Sequence, residues 1–276
     1  MTINPLSLRM LDNHPQDAAR ALEKYHPSEL AGYLEEMPVT STAKVMRHLV
    51  PAVAADCLGE MSPDAAAAIL EEFSVERATA LLRHMPVSQR NNLIRNLSPL
   101  YTNMVKLVLR YPEGTVGQLM TPRVFAAHED MRSDDLLQTI QGMTGQLQKL
   151  IFIINDDHQL VGKVDIRDLL TGESVSAISR LMQPAGTVVS ARSSIGSVQH
   201  IGEWKYTDIL PVVDHAGQFI GVLKRGVMLD ALAHEAPRNQ EDFATTALAI
   251  AEIFWEACAN ILVPEPRNTD KRHNDD

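Results

Sequence analysis

The side chains best able to do chemistry are few in this sequence and are scattered along it. Cys57 and Cys258 lie in opposite halves of the chain, a spacing that fits neither a disulfide framework nor a zinc motif. A reducing compartment is the simplest setting for such a pair. His48 and His84 occupy matching positions of the repeat described below, where we expect exposed histidines at helix ends. No nucleophile–base pair, glycine-rich phosphate loop or metal-ligand motif is present, so the sequence predicts a protein that is not an enzyme.

The charge of the chain narrows the classes of partner. There are 25 Lys and Arg against 35 Asp and Glu, which gives a net charge of −10. This balance argues against sequence-independent nucleic-acid binding, which needs a basic face. An acidic surface is compatible with cations, but it commonly serves solubility alone. Among the acids, we expect Asp134, Asp135, Asp156 and Asp157 to be helix-start and turn residues.

The elements that must position any site begin with a twelve-residue repeat in the first half. Three registers of the repeat are apolar at offsets i, i+1 and i+4, which lie on one face of a short helix. The first register is Tyr25, Met37, Leu49, Met61, Phe73, Met85, Leu97 and Leu109. The other two start at Leu22 and Tyr33 and step by the same period, through Met46 and Cys57 among others. We interpret all three as core.

Breaks between the repeats predict how the helices end and begin. Most contain a proline, which stops one helix and fits the first turn of the next. Ser62 and Ser98 stand before such prolines and read as N-caps. Residues 15–110 should therefore be a superhelix of helices of about eight residues without any strand, since helices this short are stable only when stacked.

After Tyr111 the chain becomes richer in strands, and it does so twice. The segment LMTP is followed by an acidic helix and the strand run LIFIINDD, and LMQP about sixty residues later by SIGSVQHIGEWKY and ILPVVDHAGQ. Short β-branched runs bounded by Asn, Asp and Gly read as strands joined by tight turns. We expect the two copies to pack on each other around a pseudo-twofold axis, because about sixty residues make only a marginal core alone.

Together these motifs resemble one family. The LM-x-P opening and the VVD-x-x-G-x-h-x-G hairpin look like a tandem pair of CBS domains, and the helical repeat that ends in YPEGTVGQLMTP looks like the N domain of MgtE magnesium channels. The resemblance covers residues 20–235 and implies a cytosolic sensor. In that family a linking helix then leads to a membrane pore. The polar end LVPEPRNTDKRHNDD gives the expectation that no pore follows here.

The resemblance implies a nucleotide site whose motif is incomplete. CBS pairs often bind adenine nucleotides through G-h-h-[ST]-x-x-D, where the hydroxyl meets phosphate and the Asp meets ribose. In GKVDIRD, Asp168 stands at the ribose position, but Asp165 replaces the hydroxyl residue and would repel phosphate. In GVLKRGV, Lys224 replaces the hydroxyl residue and Val227 the ribose ligand. Asp168 and Lys224 are thus the candidate nucleotide-binding residues.

A magnesium site is implied in the same way and is also reduced. Mg²⁺ prefers hard oxygen ligands. Asp230 and Glu235 match acidic positions of the surface where the CBS pair of the channels meets the linking helix, and they are the candidate metal ligands. Tyr206 and Val227 stand at other such positions. Mg²⁺ is therefore the first cofactor that the resemblance suggests, and an adenine nucleotide comes second.

The sequence divides into four regions. Residues 1–110 form the helical repeat domain, and 111–235 the tandem CBS pair, with halves of about 111–172 and 173–235. Residues 236–263 include an amphipathic helix, and 264–276 are a polar flexible tail. In that helix Glu252 and Glu256 share a face with Asn260, which argues against a membrane span. The fold class is multidomain, α followed by α/β.

These features predict a non-enzymatic, cytoplasmic regulatory or interaction protein, built like the Mg²⁺-sensing module of the channels. We expect a homodimer formed through the CBS pair, and a protein partner or a magnesium transporter as its target. Two alternatives stay open: a soluble CBS protein that senses adenine nucleotides, and a helical scaffold that holds a partner protein on its concave face.

Deleting residues 242–276 should lower the solubility of the protein or change its oligomeric state, as measured by light scattering. The apolar face of this helix carries Leu248, Trp255 and Leu262 and needs a cover. It has no Lys or Arg to meet anionic lipid, so the intact protein should not float with anionic liposomes. Flotation, or a truncated protein of unchanged mass and stability, would contradict this assignment.

Overall fold

The computed structural model describes residues 9, 11–143, 149–171 and 177–233. The predicted amphipathic helix and tail lie outside the described residues, so their assignment stays a prediction. The chain up to Met228 forms one compact unit, and Leu229 begins a second. Within the described ranges, no helix has the length and apolar character needed to cross a bilayer.

From Pro15 to Leu109, all of which the structure describes, the first half is a superhelix of eight short helices, each of eight to eleven residues. They are α1 (Pro15–Leu22), α2 (Pro27–Glu35), α3 (Val39–Met46), α4 (Pro51–Glu60), α5 (Pro63–Glu71), α6 (Val75–His84), α7 (Val87–Asn96) and α8 (Pro99–Leu109). Each helix packs mainly against the helix two places further on, which produces two rows. No strand lies between Ala18 and Leu109, all of which the structure describes, and this confirms the repeat prediction.

The three apolar registers form the core of the superhelix, with an exception at its start. Met37, Met61 and Phe73 are at most 6% exposed, and Cys57 is fully buried. Tyr25 and Tyr33 are 58% and 37% exposed, so the prediction that these two are core residues was wrong. They belong to the first repeats. Among the described elements, the helices of these repeats pack mainly against the repeats that follow them in the chain.

A polar register, which the sequence analysis missed, ties the repeats together. Ser62 and Ser98 do occupy N-cap positions, but their hydroxyls make no capping bond. Their backbone N–H groups instead donate to Glu35 and Glu71, each at 2.5 Å. Backbone N–H groups at a helix start have no partner within the helix, and such acceptors satisfy them. At other positions of the same register, Arg47 donates to the carbonyl oxygen of Glu72 at 2.8 Å, and Arg83 donates to that of Tyr111 at 2.6 Å.

The second half contains two small sheets of related topology. The first sheet orders β2 (Ala126–His128), β3 (Leu150–Ile154) and β4 (Leu160–Asp165), and the second orders β1 (Thr121–Pro122), β7 (Phe219–Lys224), β6 (Ile209–Val213) and β5 (Val189–Ser190). In each sheet a parallel pair is followed by an antiparallel hairpin. Four helices whose bounds the structure gives lie here, α9 (Val116–Leu119), α10 (Ser133–Gln141), α11 (Ile166–Thr171) and α12 (Ile195–Val198), and residues 225–233 are helical up to the limit of the described chain. SIGSVQHIGEWKY therefore supplies one helical turn and a 3-10 turn rather than a full helix.

The two halves exchange their LM-x-P segments, residues 119–122 and 181–184. Thr121 and Pro122 of the first half pair with Val222 and Gly221 in the sheet of the second half. Gln183 makes two backbone bonds with Lys163 in the sheet of the first half, at 2.8 and 2.9 Å. The equivalent residues Gln159 and Gln218 bridge each other antiparallel, as a local twofold axis requires. The predicted pseudo-symmetric pair of strand-bearing halves is therefore confirmed.

Glycines make this exchange possible. A Cβ at Gly221 would lie within 3.0 Å of the carbonyl oxygen of Thr121 and at 3.0 Å from the Cα of Pro122. At Gly162 the nearest atoms belong to the flexible side chain of Met182. Side chains can move more cheaply than a paired backbone strand.

The segment Tyr111–Pro122 connects the superhelix to the sheets through a side-chain bond to its first residue and backbone bonds further along. Arg83 of α6 donates to the Tyr111 carbonyl. Further on, the N–H groups of Val116 and Gly117 donate to the carbonyl oxygens of Ser193 and Ala191 at 2.9 and 2.8 Å. Gly117 also has no room for a Cβ, because the Tyr111 side chain fills that space. This junction holds the superhelix on the second half of the strand-rich region.

Gly221→Ala should lower the free energy of unfolding by about 1–3 kcal/mol, the usual cost of overpacking against a backbone that cannot move aside. Gly162→Ala should also be destabilising, because Met182 can adopt another rotamer but the added Cβ would still lie 2.9 Å from the backbone carbonyl oxygen of Gln183. Gly196→Ala is the matched control, because nothing lies within 4 Å of its added methyl group. Thermal unfolding followed by circular dichroism measures all three. Equal losses at Gly221 and Gly196 would contradict the role given to the exchanged segment.

Candidate functional site

A cleft of about 550 Å³ opens between the two halves of the strand-rich region. We call it the inter-sheet cleft. It lies beside the end of β4 and the start of β6. Its charged lining residues are Lys149, Lys163, Asp165, Glu203 and Asp208, and the others are Leu150, Gln183, Tyr206, Thr207 and Ile209. Both signs of charge therefore meet in this cleft.

Asp165 is compensated by neighbouring donors. Its carboxylate accepts a bond from the backbone N–H of Arg167 at 2.9 Å, at the start of α11. The Arg167 guanidinium lies at 3.5 Å and the Lys149 ammonium at 4.0 Å. The backbone bond from Arg167 is the main reason that the pKa of Asp165 lies below its ordinary value. The carboxylate acts locally as a helix-start acceptor, so its repulsion of a phosphate is weaker than its type alone predicts.

Glu203 holds the loop on the other wall of the cleft. Its carboxylate accepts bonds from the hydroxyl and from the backbone N–H of Thr187, the latter at 3.0 Å. These bonds, with the nearby charge of Lys163, hold the pKa of Glu203 below its usual range. Gly186 precedes Thr187 with φ of 79°, and a Cβ there would meet the Glu203 carboxylate. Glu203 is thus committed to a structural contact.

The groups left to meet a ligand are two ammonium groups, the carboxylate of Asp208 and an aromatic ring. Lys149 and Lys163 present ammonium groups to the cleft, and Tyr206 is 87% exposed at its edge. The Thr207 hydroxyl is already used, since it donates to the carbonyl oxygen of Ile209 at 3.0 Å. This arrangement can hold an anionic group beside a ring face.

The structure does not bring the two candidate nucleotide residues together in this cleft. Asp168 lies in α11 and accepts a bond at 3.0 Å from the side chain of Gln183, which lines the cleft. Lys224 is the exposed last residue of β7, in the other sheet. Neither residue is part of the described lining. Lys149 and Glu203 do line the cleft, but no sequence motif marks them. Lys163 also lines it and lies within GKVDIRD, so the sequence could have identified this residue.

The candidate metal ligands are separated by the limit of the described chain. Asp230 is exposed in the helical stretch 225–233, and Glu235 lies outside the described residues. Across ranges 11–143, 149–171 and 177–233, no three His, Cys, Asp or Glu side chains come close enough to hold a metal ion. The other acids behave as expected. Asp134 and Asp135 stand in the first turn of α10, and Asp156 and Asp157 form a turn, with Asp156 3.0 Å from His128.

Two family models match parts of the chain. Residues 13–114 match the MgtE intracellular N domain, and residues 116–174 match the CBS domain. The magnesium transporter MgtE of Thermus thermophilus is 26% identical over 146 residues, which are 52% of this chain and 32% of that protein. The Bacillus subtilis magnesium transporter MgtE is 24% identical over 144 residues, 51% of this chain and 32% of that one. The chain thus aligns with about a third of the length of each curated relative.

Solved structures share the fold. The cytosolic domain of the Mg²⁺ channel MgtE, crystallised in complex with ATP, superposes with a TM-score of 0.70 at 24% identity over 81% of this chain and 92% of that one. The soluble part of a magnesium transporter gives a TM-score of 0.61 at 19% identity, over 84% and 97% of the two chains. At these identities the likeness concerns the fold alone.

Glu203→Gln should destabilise the protein at neutral pH, because an amide replaces the charged acceptor of the two Thr187 bonds. The pKa of Glu203 is lowered in the folded state, so its contribution to stability is present above the ordinary carboxyl pKa and is lost as the pH falls through the lowered value. The difference in melting temperature between wild type and variant should therefore shrink on acidification below about pH 4. A difference that stays constant down to pH 3 would argue against a charge-dependent contact.

Proposed function

Because the chain has the N-domain and CBS architecture of the MgtE family's cytosolic region, we propose that it works as a non-enzymatic regulatory and interaction module with a weakened Mg²⁺ response. The observation that carries this is the junction. The Arg83 side chain of α6 bonds to the Tyr111 carbonyl, and backbone bonds of Gly114–Gly117 reach the 191–195 loop of the second half. A ligand that favours one arrangement of either part can thereby bias the other.

Mg²⁺ is the first ligand of this proposal, since the relatives are named as magnesium transporters. The response is weakened because the acids of the described surface form no cluster for a dication. Asp230 and Glu235 remain the candidate ligands, and a carboxylate pair of this kind binds Mg²⁺ weakly when no further acids help.

Self-association through the CBS pair and a cytoplasmic location belong to the same proposal. The target would be a protein partner or a magnesium transporter. Helical superhelices offer concave faces for such partners, which also supports the scaffold alternative.

A second candidate ligand is an adenine nucleotide in the inter-sheet cleft. Lys149 and Lys163 could meet phosphate, and the exposed ring of Tyr206 could stack on a base. Asp165 opposes this less than its charge suggests, since Arg167 and Lys149 compensate it. The similar cytosolic MgtE structure was solved in complex with ATP. Calorimetry with Mg²⁺, ATP and AMP separates the two ligands, and Tyr206→Ala should weaken nucleotide binding while it leaves Mg²⁺ binding unchanged.

Millimolar Mg²⁺ should raise the melting temperature only slightly. A ligand at a concentration equal to its dissociation constant adds only about 0.4 kcal/mol to the free energy of unfolding. Asp230→Ala should reduce that small shift further, because it removes a candidate ligand, whereas Asp17→Ala on the superhelix is the control and should leave the shift unchanged. A shift of many degrees in the wild type that Asp230→Ala abolishes would reveal a strong metal site and overturn the weakened response.

A further inference from the structure

A second and larger cleft, of about 940 Å³, lies at the C-terminal end of the superhelix. It is formed by α6, α7 and α8, away from the inter-sheet cleft. We call it the basic cleft, because its charged lining residues are Arg83, Arg90, Arg95, Lys106 and Arg110. The remaining lining residues are Asn91, Ile94, Leu97, Pro99, Thr102, Asn103 and Leu109.

The charge of this cleft is opposite to that of the protein. The whole chain carries −10, yet the described lining holds five cations and no carboxylate. The ion pairs found among the described residues involve other side chains, such as Lys44 with Asp12 and Arg132 with Asp134. Glu113, which lies outside the lining, favours the charged form of Arg83. The like charge of Arg90 disfavours it, and a bound anion would relieve repulsion of this kind.

Arg83 is already fixed in the wall of the cleft. One terminal nitrogen donates to the Tyr111 carbonyl at 2.6 Å, which orders the long side chain before any ligand arrives. Its Nε is buried and has no hydrogen-bond partner in the described structure. Burial also lowers the pKa of this guanidinium, as expected for a cation held out of water. A buried donor without an acceptor is costly, so an anion reaching it would gain a strong bond.

The shape of the lining selects a compact anion over an extended one. The cations come from three helices around one volume, rather than in a row along one helix. The described lining contains no aromatic ring on which a base could stack. Asn91 and Asn103 add neutral amide groups at the wall. Arginine forks match phosphate oxygens in pairs, and this geometry suits a multiply charged phosphate group.

We propose that the basic cleft binds a polyphosphate anion, supplied either in free form or as the phosphate chain of a larger molecule. Arg90, Arg95, Lys106 and Arg110 provide the charge, and Arg83 links the cleft to the junction through Tyr111. Occupation of the cleft would therefore stabilise the junction between the superhelix and the strand-rich region. The proposal concerns a different surface from the Mg²⁺ and nucleotide sites above, and it stands or falls independently of them.

Calorimetry with inorganic tripolyphosphate in Mg²⁺-free buffer tests the site without a base that could enter the inter-sheet cleft. The wild type should bind, and the affinity should fall as salt is added. The double variant Arg90→Gln with Lys106→Gln should bind at least about tenfold more weakly, since each loses a charge-assisted bond to phosphate. Arg20→Gln with Lys24→Gln, exposed at the other end of the superhelix, is the control of equal charge change and should bind as the wild type does.

A titration with a nucleoside triphosphate identifies the source of the phosphate chain. Tight binding of tripolyphosphate that the nucleotide does not match indicates a free polyphosphate, and nucleotide binding that is weakened in the cleft variant indicates the phosphate chain of a larger molecule. Arg83 is left intact throughout because it also supports the junction. Absence of tripolyphosphate binding, equal weakening in the cleft and control variants, or preference for a polyglutamate peptide would each overturn the proposal.

Discussion

The reciprocal exchange of the LM-x-P segments is the contact on which the strand-rich region depends. Each segment adds a short backbone pairing to the sheet of the other half, at Thr121 with Val222 and at Gln183 with Lys163. Each half therefore depends on a segment of the other half to complete its sheet. The tilted ring contact of Phe152 with Phe219, with centroids 5.2 Å apart, lies between the same two sheets. A unit of about sixty residues gains from such sharing the buried surface that it lacks alone.

The superhelix is connected to this exchange by the segment that leads into the first LM-x-P motif. The segment that ends in Thr121 and Pro122 begins at Tyr111, whose carbonyl is held by Arg83. Between these points Val116 and Gly117 bond to the 191–195 loop. Positions of the first half are thereby coupled to the second half of the strand-rich region. Arg83 both lines the basic cleft and bonds to Tyr111 of the junction, so the cleft adjoins the junction. The inter-sheet cleft is lined by Gln183, which belongs to the other exchanged segment.

Periodicity in the sequence predicted the repeated helices and their buried positions. The other features depend on tertiary packing. The twelve-residue registers predicted the buried positions of the superhelix because apolar spacing is a local signal. They failed at Tyr25 and Tyr33, since exposure there depends on how many helices stack beyond the first repeats. The ties made by Glu35 and Glu71 were also missed, although they recur with the same period, because an exposed acid carries no sign of the backbone donor it meets. Lys149, Glu203 and the basic cleft come together only through tertiary packing, and no local spacing predicts them.

The central claim is that the superhelix and the strand-rich region form one coupled body through the junction. Native-state hydrogen exchange of the Val116 and Gly117 amides tests it most directly, because both donate across the junction. The account predicts that these amides exchange as slowly as those of the central strands β3 and β6, since they open only when the whole unit unfolds. Exchange at the rate of an open loop, with β3 and β6 still protected, would show that the two parts are merely tethered and would contradict the account.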